Sequence, residues 1–167
     1  MILSPSLTKC RAALALAFVL TALPRHAWAA PGDKARITGL ADVAFGTLNT
    51  ASDQSISENV CAFSNSATGG YSVTATGSGG SGAFTLASGG SQLPYEVSWA
   101  GSANQSNGTA LTAGTLISGF TSAATQQSCN SGPAASASLT VIIRAASLGS
   151  AMAGPYSGTL QITIAPE

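Results

Sequence analysis

The sequence predicts an all-β fold, an immunoglobulin-like β-sandwich of about seven strands, on three observations. Apolar residues recur with a period of two, turn-forming clusters separate these runs every ten to twenty residues, and two cysteines lie far apart after an export signal. A small closed barrel would satisfy the same pattern.

Residues 1–29 read as a signal peptide. Lys9 and Arg11 give a positive start, Ala12 to Leu23 form an apolar stretch, and Ala27-Trp28-Ala29 offers a small-x-small cleavage site. That stretch is about half of the roughly 20 residues a spanning helix needs. Residues 30–36 then form a short N-terminal extension and 37–167 a single domain.

Along the domain, Ile37 to Phe45 reads as the first strand, with Ile37, Val43 and Phe45 on one parity. Tyr71, Val73 and Ala75 alternate with polar residues, as do Tyr95, Val97 and Trp99. The same holds for Ala137, Leu139, Val141 and Ile143, and for Leu160, Ile162 and Ile164. "NSATGG", "GSGGSG", "ASGGSQLP", "SANQSNG" and "CNSGPAAS" punctuate these runs with residues that tolerate turns. Asn107-Gly108 reads as a tight turn. In the Ala-rich stretch 145–153, Gly149 and Gly154 favour a loop over a helical turn.

Charge and cysteine content restrict the chemistry. With the leader removed, the chain has no histidine, and its cationic side chains are Lys34, Arg36 and Arg144. Such a sparse, slightly acidic set forms no basic stripe for nucleic acid and no polybasic membrane patch. Gly77, Gly79 and Gly82 match G-x-G-x-x-G, but no helix-forming segment follows to hold a pyrophosphate, so they read as a hairpin connection. A histidine-dependent triad is impossible in the mature chain. Glu58 and Glu96 are the most plausible paired carboxylates, and solvated strand faces account for them more simply. Trp99 and Tyr95 share one strand face and read as core. The sequence therefore indicates no enzyme and no cofactor or metal. Cys61 and Cys129 most simply form one disulfide in an exported protein, with free thiols or metal ligation as the alternatives.

The segments "ITGLADVAFGTL", "NVCAFSNSATGGYSVTATGSG", "LPYEVSW", "CNSGPAASASLTVII" and "AGPYSGTLQITIAPE" resemble the spore coat protein U domain family, which includes secreted subunits of archaic chaperone-usher pili. The likeness covers nearly all of residues 37–167. It implies an incomplete immunoglobulin-like sandwich whose missing strand comes first from a periplasmic chaperone and later from the next subunit. It also implies an outer-membrane usher and other pilins as partners, and a place at the cell surface or in a fimbrium. On that reading Tyr156, Leu160, Ile162 and Ile164 line the strand-accepting groove, and Ile37, Val43 and Phe45 mark a candidate donor segment. Only residues 30–36 precede the apparent first strand, so either Ile37 to Phe45 doubles as the donor or the chain accepts a strand without giving one, as a minor or tip subunit of a pilus or of a related spore-coat-like surface assembly. The alternative is an adhesin module that binds a glycan or an abiotic surface.

Overall fold

The computed structural model describes residues 32–167, and the signal peptide expected at 1–29 lies outside them. Among the described residues are ten strands and one short α-helix, with every ladder antiparallel. One sheet has the order β1 (Ala35–Thr38), β2 (Gln54–Ser64), β9 (Ala137–Ile143), β6 (Glu96–Ala100) and β7 (Thr109–Ala110). The second has the order β10 (Leu160–Pro166), β3 (Gly70–Gly77) and β8 (Leu116–Thr121). A separate hairpin pairs β4 (Thr85–Ser88) with β5 (Ser91–Pro94). Apart from this hairpin and the two-residue β7, seven strands make up the two sheets, as the sequence predicts.

The period-two pattern works because alternate side chains face one side of a strand. Val60 and Ala62 on β2, Leu139, Val141 and Ile143 on β9, and Val97 and Trp99 on β6 meet Tyr71, Val73 and Ala75 of β3 in one core. The Trp99 indole N–H donates to the Tyr71 hydroxyl at 3.1 Å, and the Tyr71 ring stacks on Phe120 at 5.6 Å. Trp99 and Tyr95 are therefore core residues, as expected.

Cys61 and Cys129 form a disulfide with Cα atoms 5.9 Å apart. It ties the long connection between β8 and β9 to β2, with Ala124 and Phe63 packed around it. It therefore secures a loop to one sheet, while the two sheets are joined by apolar packing and by hydrogen bonds such as Trp99 to Tyr71.

Three local expectations need correction. Ala145–Ser150 is an α-helix, α1, despite Gly149, because it buries Leu148 and because Asp53 Oδ1 accepts the Ala145 N–H at 2.8 Å. The glycine-rich stretch 77–82 makes no hairpin, since β3 pairs with β10 and β8 while β4 pairs with β5. It makes one 3-10 turn at Gly80–Gly82 between the two sheet systems. Gly77 is needed there for close packing: a Cβ on it would lie 2.2 Å from the Ala83 carbonyl oxygen. Finally, Asn107-Gly108 is no tight turn. Residues 101–108 form one longer connection, in which a Cβ on Gly108 would lie 2.5 Å from the Trp99 backbone.

Candidate functional site: a groove along the last strand

β10 pairs on one side with β3, from Leu160 opposite Gly77 to Pro166 opposite Tyr71. Among the described residues no strand pairs with its other edge. Side-chain exposure marks the same gap. Tyr71, Val73 and Ala75 on β3 are 0 % exposed, whereas Leu160, Ile162 and Ile164 on β10 belong to the same core yet stay only half-buried. β1 lies close to β10 without forming a ladder with it, and no described strand other than β3 pairs with β10 beside Leu160 and Ile162.

The opposite wall is the chain between β1 and β2. β1 ends at Thr38, opposite Cys61, and the chain then leaves the β2 ladder. From 39 to 48 it makes no backbone–backbone hydrogen bond within the described residues. Val43, Phe45 and Leu48 still rest half-buried on the core. One polar contact holds this segment to β2: the Ala41 N–H donates to Glu58 Oε2 at 3.4 Å.

Between these walls run two clefts. The first, about 260 Å³, is lined by Val43, Leu139, Val141, Leu160 and Ile162. The second, about 450 Å³, is lined by Phe45, Leu48, Leu93, Ile143 and Tyr156. Asp42, Val43, Phe45, Leu86 and Gly158 border both, so the clefts form one groove with residues 40–48 on one wall and 154–162 on the other.

Of the groove residues expected from sequence, Leu160, Ile162 and Tyr156 line it, while Ile164 faces the core beyond the clefts. The Tyr156 hydroxyl donates to the Met152 carbonyl at 3.0 Å, fixing the loop before β10. Ile37 pairs in β1 opposite Ala62, whereas Val43 and Phe45 belong to the groove wall. The floor residues Leu86, Leu139, Val141 and Ile143 were not expected there. Alternation marks them as buried, but only the sheet order places them under an open edge.

Glu58 and Glu96 have different surroundings. Glu58 lies on the inward-facing parity of β2, half-buried, beneath the groove wall. Glu96 is exposed and accepts from both Nε and Nη2 of Arg144, which also donates to Asp53 Oδ2 at 2.8 Å. The hydrogen bonds from Arg144 hold the Glu96 carboxyl below its ordinary pKa. For Asp53 the largest cause of its lowered pKa is the Ala145 N–H, followed by the hydrogen bond from Arg144. A third cleft, of about 280 Å³, lies beside Glu96 and Arg144, lined also by Phe84, Tyr95, Ser106 and Asn107. No cluster of three or more metal-ligating side chains occurs among the described residues, and no helix there is long and apolar enough to cross a membrane.

No protein-family model matches the chain, and no curated protein matches it. Among solved structures it is similar to a chain from work titled "Chaperone-tip adhesin complex is vital for synergistic activation of CFA/I fimbriae biogenesis", with a TM-score of 0.51 and 16 % identity. The match covers 81 % of this chain and 41 % of that one, so this chain spans less than half of its neighbour's length. At that identity the likeness is one of fold.

Proposed function

We propose that the protein is a strand-accepting structural subunit of a surface fibre, of the archaic chaperone-usher kind. The observation that carries this reading is the open strand position beside β10, where an apolar row stays half-exposed next to an unpaired backbone edge. A partner strand laid there would gain main-chain hydrogen bonds from β10 and bury alternate side chains in the clefts. Left uncovered, such an edge favours aggregation. The resemblance to the spore coat protein U family, the predicted signal peptide and the disulfide support an exported subunit that meets a chaperone, an usher and other pilins. The fold neighbour from a fimbrial adhesin complex points the same way.

The acceptor role is favoured over the donor role. Ile37 is paired in β1, and Val43 and Phe45 cover this chain's own core, so giving up 37–45 would open the subunit that supplied it. A minor or tip position follows. A catalytic role is not part of the proposal, since Arg144 already neutralises Glu96.

The test is expression with and without a co-expressed periplasmic chaperone of the fibre system. Chaperone-dependent solubility and a one-to-one complex are expected. Soluble, monomeric and stable protein made alone would contradict the open-groove role.

A further inference from the structure

We infer that the groove selects its occupant by charge: the accepted strand is an extended segment of a partner subunit carrying Lys or Arg at the position that meets Asp42. This rests on the strand-accepting reading above and adds a determinant of specificity to it. Asp42 borders both clefts, at their junction across from Gly158. Among the described residues it is the sole ionisable side chain other than tyrosine lining either cleft. A second carboxylate, Glu58, underlies the same wall and accepts the Ala41 N–H. Charged side chains are scarce in this protein, at 7 % of residues, and of the described cations Arg144 is already engaged with Asp53 and Glu96. The groove therefore presents an apolar floor with an acidic point where its two clefts join and, among the described residues, no lining cation to offset it.

An incoming strand places apolar side chains into the clefts and alternate side chains outward along the rims. A cation on the rim beside Asp42 gains a charge-assisted contact, and an anion there is repelled. Complementary rim charge of this kind fixes register and rejects wrong partners more than it adds raw affinity. The competing account makes Asp42 a guard that keeps copies of this chain from pairing edge to edge.

Two sets of alternating apolar peptides separate these accounts, identical except for Lys or Glu stepped through each outward position, titrated against the full domain purified as its chaperone complex, with displacement of the chaperone as the readout. At one register the Lys peptide should bind roughly fivefold tighter than its Glu counterpart. The gap should shrink in 0.5 M salt, on the order of a few ångströms of screening length. Asp42→Asn should abolish the preference and Asp42→Lys reverse it, with thermal melts confirming that both variants fold. Equal binding of Lys and Glu peptides at every register, or a preference surviving in Asp42→Asn, overturns the inference while leaving the acceptor groove standing. Self-association of Asp42→Asn without any peptide charge preference would assign Asp42 the guard role instead. Failure of every peptide to bind would overturn the acceptor reading itself.

Discussion

Trp99 is the largest side chain that is fully buried, and its indole N–H has one partner, the Tyr71 hydroxyl. Tyr71→Phe keeps the ring stacked on Phe120 but leaves that donor unsatisfied. Urea denaturation should find the variant about 1–3 kcal/mol less stable. The alternation in "YEVSW" marks Trp99 as inward-facing, but its partner sits 28 residues away on another sheet, beyond the reach of any local pattern. Arg144 illustrates the same limit. Sequence presents it as one of a few cations, and folding brings it between Asp53 and Glu96. Both carboxyls have folded pKa values below their ordinary 3.8 and 4.5, so their contribution is present above those values and is lost as pH falls through the depressed ones. Melts from pH 6 down to about pH 2 should fall less steeply for Arg144→Ala than for the parent. All three side chains are largely exposed, so the difference should be small and should shrink in salt.

Helix α1 shows why local propensity misleads in short elements. Gly149 argues against a helix, yet burying Leu148 to 5 % exposure and satisfying the Ala145 N–H outweigh a cost of about 1 kcal/mol. Leu148→Ala should accordingly cost about 2–5 kcal/mol. Gly149→Ala should stabilise by about 0.5–1 kcal/mol, because a Cβ there meets nothing within 4 Å. At the opposite extreme, a Cβ at Gly77 collides with backbone, so Gly77→Ala should destabilise by about 1–3 kcal/mol despite its flexible-looking surroundings. Chemical denaturation of the three variants against the parent checks each sign. In β10, alternation is enough to identify the strand and its inward face. That one edge of this strand is unpaired depends on which strands the chain brings alongside it.

For the molecule as a whole, stability depends on two long-range closures. The Cys61–Cys129 bridge spans 68 residues, and in the chain-entropy model its removal costs about 4 kcal/mol. Reduction, or a Cys61→Ala/Cys129→Ala double variant, should lower the unfolding midpoint and loosen the loop between β8 and β9 first, as read by hydrogen exchange. On the strand-accepting reading, the groove is a closure the described chain leaves unmade. Fusing an alternating apolar strand behind Glu167 through a flexible linker should raise the melting temperature and protect the β10 amides from exchange. An unchanged melt would mean that β10 gains nothing from a neighbour.

The sequence by itself determined the class of fold, the inward faces of β3, β6, β9 and β10, and the scarcity of charged side chains, because a period-two pattern and composition are local properties. It also indicated the cysteine pair, as two thiols in a chain expected to be exported have few other uses. Tertiary structure decided that residues 39–48 leave β2 after Thr38 to wall a groove, that Leu139, Val141 and Ile143 form its floor, and that Asp42 stands at its centre. Which strand edge lies open depends on the pairing order of segments up to about a hundred residues apart, and no spacing within one segment encodes that order.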